Sequence, residues 1–172
     1  ENFKTNSDTE VLLNLYAKYG QDMLQYIEGM FAFAIWDNQK QEVFIARDSA
    51  GKKPFYYTEQ NGKFFFSSEV KALLALEGTN ASLDEKALYH FLTFNVLPAP
   101  LTMFKNIAKL DAGHCIVINS NGVAQPRKYW GVNYTDLSSK SEAELCDLVY
   151  NELERSVQDR LVSDVPVGAF LS

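Results

Sequence analysis

Apolar residues fall along this chain in two ways, as near-continuous runs and as stripes at helical spacing. Runs at 30–36 and 42–46 flank the polar tetrad Asp37, Asn38, Gln39 and Lys40, which predicts a β-hairpin with a short polar turn. The first run is apolar at consecutive positions, so it predicts a strand buried on both faces in the middle of a layered fold. Arg47 and Asp48 follow where the second strand ends, just before a turn containing Gly51 and Pro54. There a carboxylate beside a guanidinium reads as a structural ion pair or a turn cap. Segments 52–58 and 63–67 predict another strand pair, turned at Asn61 and Gly62. Segment 114–119 predicts a strand that turns at Asn121 and Gly122 and returns as far as Tyr129.

The stripes predict helices. Ser7, Asp8, Thr9 and Glu10 have the pattern of a capping box, with Ser7 as N-cap and Glu10 at the third helical position. Val11, Leu12, Leu15, Tyr16 and Tyr19 then share one face, and Gly20 supplies a stop. A short helix at 22–27 and a helical turn or two at 69–76 follow. A second box, Ser82 to Glu85, opens a helix to about Phe94 with Leu88, Phe91 and Leu92 inward. The prolines at 98 and 100 make 96–100 extended. A third box, Ser141 to Glu144, opens an amphipathic helix to about Leu161, and 165–171 reads as a buried strand. Helices bracketing antiparallel strands imply an α+β layered core. Residues 133–140 are polar and irregular, the best boundary in the chain, and the helix and strand beyond them suggest the opening of an α/β unit.

Composition narrows the function classes. The 172 residues suit one domain, or one domain and part of another; 47% are hydrophobic and 13% aromatic, so disorder is not expected. The net charge of −6, with no block of like charge, argues against nucleic acid or an anionic membrane as partner. Two cysteines, Cys115 and Cys146, and two histidines, His90 and His114, offer no metal-ligand spacing, so no metal site is expected. No apolar run approaches the ~18 residues of a membrane span, and a cytoplasmic location is the expectation. Cys115 lies in a strand and Cys146 in a helix, each read as a small buried hydrophobe rather than a nucleophile. Both histidines read as structural or surface residues, and the aromatic runs 55–57 and 64–66 as packing.

The segments GMFAFAIWD, ARDSAGKKPFYY and FFFSSEVKAL, with NSDTEVLLNLY near the start and LVSDVPVGAFLS at the finish, resemble glutamine-dependent asparagine synthetases. The resemblance is to their amidotransferase part, which belongs to the class II amidotransferases, and it covers nearly the whole chain. It implies part of a four-layer αββα N-terminal-nucleophile hydrolase sandwich, followed by the start of an α/β ATP-pyrophosphatase domain. Residues 1–135 would be the C-terminal part of the amidotransferase domain and 141–172 the beginning of the synthetase domain. The reaction implied is glutamine hydrolysis through a cysteine thioester, with ammonia passed to aspartate activated as β-aspartyl-adenylate. The apolar residues 32–35 would line the side facing the ammonia route.

The resemblance also implies roles for particular residues. Asp8, in the SD motif opening the first helix, would bind the α-amino group of glutamine; a fixed carboxylate suits an ammonium because charge-assisted hydrogen bonds are about twice as strong as neutral ones. Leu171 would touch ATP through its backbone, and Ser172 would open the phosphate loop. The nucleophile of such enzymes is a cysteine at the mature first residue, whereas this sequence begins with Glu1. The arginine loop and Asn-Gly-Glu segment that hold glutamine would also lie before Glu1. The expectation is therefore a fragment, inactive alone, with no catalytic residue and no cofactor of its own; the full enzyme would use ATP and Mg²⁺. Its partners would be glutamine, aspartate, ATP, its own synthetase domain and a possible homodimer mate. Two rivals stand beside this reading: a synthetase with another acceptor, such as a β-lactam synthetase or a polysaccharide- or peptide-tailoring enzyme, and a non-catalytic packing or dimerisation module.

Overall fold

The computed structural model describes residues 3–79, 81–137 and 139–170, and the chain divides into two compact units, 1–131 and 132–172. In the first, helix α1 (Asp8–Tyr19) starts at Ser7, whose Oγ accepts the Thr9 amide at 3.2 Å. Glu10 does not complete a reciprocal box. Its carboxylate instead accepts from the Lys4 amide and from the amide and hydroxyl of Thr5. Gly20 ends the helix at φ +58°, a conformation that costs glycine little. The expected helix at 22–27 is a 3-10 helix, Gly20–Gln25, which buries Met23 and Leu24.

The hairpin forms as the run pattern requires: β1 (Ala32–Asp37) and β2 (Glu42–Arg47) pair antiparallel from Ala32 opposite Arg47 to Asp37 opposite Glu42. Strand β2 also pairs with β6 (His114–Asn119), which carries two short partners on its other side, β7 (Gly122–Val123) and β8 (Arg127–Lys128). The middle strand among the described residues is therefore β2, and β1 is an edge. This corrects the expectation that 30–36 is buried on both faces. Ile35 is buried, but Ala34 is exposed and Trp36 is 56% exposed. A run of apolar residues cannot by itself say which strand of a pair will be flanked on both sides.

A second antiparallel sheet has the order β4 (Lys63–Ser67), β3 (Tyr56–Gln60), β5 (Ala108–Lys109). Strand β3 begins later than the expected residue 52, because the amides of Lys52 and Lys53 bond to the Asp48 side chain. Side-chain alternation sets the layers. Phe44, Ala46 and Cys115 face α1 and the 3-10 helix, together with Tyr16, Met23 and Leu24. Ile45 and Ile116 point the other way, onto Phe55 and Leu110 and the partly buried Tyr57 and Phe64 of the second sheet. Helix α2 (Val70–Leu74) packs on β3 and β4, and Phe91 of α3 (Glu85–Phe94) shares a cavity with Tyr56 of β3 and Val70 of α2. The order is helix, sheet, sheet, helix, an α+β layered fold.

Three expectations for α3 are corrected. Its N-cap is Asp84, whose carboxylate accepts the Ala87 amide at 3.0 Å, rather than Ser82. Asp caps as well as Ser does. Ala87 is the buried residue of the helix, and Leu92, expected inward, is 75% exposed. His90, expected at the helix surface, has its Nδ1 buried and without a hydrogen-bond partner.

The second unit contains α4 (Glu142–Arg160), whose capping box is reciprocal as expected: the Ser141 side chain accepts the Glu144 amide and Glu144 reaches back to the Ser141 amide. No residue of α4 is buried. The buried strand expected from residue 165 is not seen: residues 165–170 are exposed and irregular. An apolar run becomes a strand only where a sheet offers it backbone partners. Leu171 and Ser172, the residues matched to ATP contacts, lie outside the described residues. No helix among the described residues is long and apolar enough to cross a membrane.

Candidate functional site

The first turn of α1 opens onto a cleft of about 510 Å³, within the range that small-molecule sites occupy. Asp8 sits at the first helical position, directly after the Ser7 cap, and lines this cleft with Thr9 and Leu12. Its carboxylate is exposed and accepts no hydrogen bond or ion pair from any described residue. The N-cap work is done by Ser7, so the Asp8 side chain stays available to a ligand.

Phe31 and residues 32–36 of β1 all line the cleft, those from both faces of the strand. Consecutive residues can do this only where the cleft runs along the strand's free edge. Phe31, Phe33 and Ile35 give it an apolar floor that continues into the core. Tyr26 and Glu28 line a neighbouring recess of about 280 Å³ that also reaches Asp8, Met30 and Phe31.

The opposite wall comes from the turn after β2, and here Arg47 and Asp48 have a different task from the ion pair considered above. Asp48 is fully buried; its carboxylate accepts the amides of Ala50, Lys52 and Lys53 at 3.2, 2.9 and 2.9 Å. The Arg47 guanidinium donates to the carbonyls of Lys53, Gly51 and Leu110. The turn-cap alternative is the one realised: two buried charges are satisfied by backbone dipoles and freeze the turn. Gly51, at φ +63°, is needed because a Cβ there would stand 3.1 Å from the guanidinium. The Asp48 amide bonds the Phe31 carbonyl at 2.8 Å, which ties the turn to the start of β1. Lys53, Pro54 and Ser68 then complete the cleft. Sequence reasoning passed over Lys53; the Gly-Lys-Lys-Pro string marks a tight turn but not which lysine faces the cleft.

The other candidates stand apart. Cys115 is buried at 1% exposure, its thiol pushed up chiefly by burial, the opposite of what a thiolate nucleophile needs. Cys146 is exposed on α4. The His114 ring bonds the Ala112 carbonyl at 2.8 Å, a structural contact. Among the described residues no three His, Cys, Asp or Glu side chains stand together as a metal site.

Comparison with known proteins agrees with the fold. Residues 1–130 match the family model described as glutamine amidotransferase domain. The chain is 37% identical over 99% of its length to asparagine synthetase [glutamine-hydrolyzing] 3 of Bacillus subtilis, covering 28% of that protein. It is 37% identical over 98% of its length to a putative asparagine synthetase [glutamine-hydrolyzing] 2 of Methanocaldococcus jannaschii, covering 33% of it. It is 33% identical over 99% of its length to the amidase chry2 of Gibberella zeae, covering 25% of it. The chain thus spans between a quarter and a third of the length of these relatives. In structure it is similar to a glutamine phosphoribosylpyrophosphate amidotransferase from B. subtilis, solved with ADP and GMP. That likeness has a TM-score of 0.51 at 20% identity, covering 78% of this chain and 25% of the other, and it is a likeness of fold. The chain belongs to the glutamine amidotransferase domain family.

Proposed function

We propose that this chain is the glutamine-binding portion of an ATP-dependent, glutamine-hydrolysing asparagine synthetase, with Asp8 receiving the α-ammonium of glutamine. The observation that carries the reading is the Asp8 carboxylate itself, unpaired at the first turn of α1 and lining an open cleft with an apolar floor. A carboxylate held in this way has no protein partner to give up, so an incoming ammonium gains a charge-assisted hydrogen bond without breaking one.

In this reading residues 1–135 form the later part of the amidotransferase domain and 141–172 the start of the synthetase domain. The nucleophile is a cysteine elsewhere in the polypeptide, since Cys115 is sealed in the core. Glutamine is hydrolysed through a thioester, and the ammonia released is used on aspartate activated as its β-aspartyl-adenylate. Mg²⁺ and ATP belong to that second step, and the described residues offer no ligand set for the metal. Relatives named asparagine synthetase and a relative named amidase match the same stretch with almost the same coverage. That supports placing the choice of acceptor outside these residues.

Asp8→Asn in the full polypeptide tests the reading, because it removes the charge and keeps the shape. Glutamine-dependent asparagine formation should fall by at least about a hundredfold, from the loss of a positioned charge-assisted contact, while free ammonia still serves as nitrogen donor. Equal survival of both activities would remove Asp8 from the donor site.

A further inference from the structure

A second cavity, of about 370 Å³, lies between the second sheet and the helices that cover it. No residue lines both this cavity and the Asp8 cleft. Tyr56 of β3, Val70 of α2 and Phe91 of α3 contribute to its walls, and the segment after α3 adds Val96 and Leu97. The walls are mostly apolar, and no Asp or Glu is among the described residues that line them. One cation is, Lys109 of β5.

Strand register puts that ammonium in the cavity. Lys109 pairs opposite Tyr56, so the two side chains leave the sheet on the same face. Tyr57 takes the other face, toward the core between the sheets. Lys109 Nζ donates to the Leu97 carbonyl at 2.9 Å, which fixes the charge against a residue of the cavity wall. An ammonium carries three donors, and this is the one bond it makes among the described residues. Burial, and then the nearby Arg47 charge, hold its pKa below the ordinary lysine value, with Asp111 opposing them from a distance. The remaining polar groups of the wall bring no negative charge. Thr102 Oγ1 is engaged with the Phe104 and Ile107 backbone, and Asn95 is neutral. A cation with spare donors, in apolar surroundings and beside a second cation, is an imbalance that an anion relieves.

We infer that this cavity binds a small apolar carboxylic acid, whose carboxylate pairs with Lys109 while its hydrocarbon part covers Phe91 and Val96. Charge complementarity sets the head group, and the apolar wall sets the tail. The volume lies near the lower end of the range for small-molecule sites, so a compact acid suits it better than a long chain. An α-amino acid is a poor occupant, because its ammonium would find no anion in the wall and would face Lys109 and Arg47.

Titration calorimetry on the full polypeptide tests this with three ligands of one carbon skeleton: hydrocinnamate, its neutral amide hydrocinnamamide, and phenylalanine. Hydrocinnamate should bind at least about tenfold more tightly than the amide, the effect of one charge-assisted contact away from bulk water. Phenylalanine should bind no better than the amide. Lys109→Met should erase the preference for the acid. Val96→Glu is the companion variant: the position is 59% exposed and accepts a polar side chain, and the added charge should weaken the acid but not the amide. Asp8→Asn should bind hydrocinnamate as the unaltered protein does. Absence of binding overturns the inference, as does equal affinity for acid and amide, or phenylalanine binding as tightly as hydrocinnamate. A preference that survives Lys109→Met, or that is lost in Asp8→Asn, also overturns it. If Lys109→Met fails to fold, Val96→Glu decides alone, and an acid that binds it undiminished overturns the inference.

Discussion

Asp48 has no solvent exposure, and three backbone amides of its own turn donate to its carboxylate. Removing that carboxylate would orphan three donors around a buried site, each costing about 1–3 kcal/mol when unsatisfied. Water reaching the opened turn would recover part of this. Asp48→Ala should therefore lower unfolding free energy by about 3 kcal/mol, measured by urea titration, with Asp48→Asn costing less because it keeps one acceptor oxygen. A loss below about 1 kcal/mol would show that the turn holds its shape without the carboxylate. Asp8 is the contrasting case. It is exposed and unpaired, so Asp8→Asn should leave the urea midpoint unchanged while it removes glutamine use. The two aspartates look alike in sequence, each beside a turn or helix start, yet one supports the fold and the other is free for a ligand.

At the scale of elements, the edge strand β1 decides what the site can be. Phe33 and Ile35 of the strand, with Phe31 just before it, pack toward α1, and its open edge carries the cleft. Ala34 is the small exposed residue on that edge and lines the cleft. Its single methyl leaves room that a larger side chain would fill. Ala34→Trp should therefore uncouple glutamine hydrolysis from asparagine formation if the cleft continues as the ammonia route. The readout is the ratio of glutamate to asparagine produced, expected to rise several-fold; an unchanged ratio would place the route elsewhere. The opposite end of the hairpin is closed by charge. Asp37 and Glu42 stand opposite each other across the strands, a repulsive pair. Lys40 lies between them at 3.6 and 3.7 Å, and the Tyr16 hydroxyl contacts both carboxylates at 3.2 Å.

Over the whole molecule, buried phenols tie the layers together and set its response to alkali. Tyr129 donates to the Arg47 carbonyl at 2.7 Å, linking the end of the first unit to the turn that frames the cleft. Burial, helped by the Asp48 charge, raises its phenol from 10.0 to about 12. Tyr16 and Tyr57 are raised as well, each chiefly by burial. A folded-state value above the unfolded one means that the stability is fully present below pH 10 and is lost as pH climbs toward 12. Urea midpoints should be flat up to about pH 9.5 and fall beyond it. Tyr129→Phe should cost about 1 kcal/mol at neutral pH through the lost hydrogen bond and make that alkaline fall shallower. An equally steep fall in the variant would assign the effect to the other tyrosines.

The sequence by itself determined the local elements: the hairpin at residues 37–42, the strand His114–Asn119, the Ser7 cap that puts Asp8 at a helix start, and the Ser141–Glu144 box all follow from near-neighbour chemistry. These depend on hydrogen bonds and side-chain periodicities spanning a few residues, which a sequence displays directly. Only the tertiary structure decided that β1 lies at an edge, that Leu92 faces outward, that residues 165–170 are not a strand, and that Lys53 meets the Asp8 cleft. Each of these depends on partners distant in sequence. Apolar character drives burial without direction, so it cannot name the surface that will cover a given face. Lys53 is separated from Asp8 by most of α1 and the whole hairpin, and the turn that carries it is tied to Phe31 through Asp48.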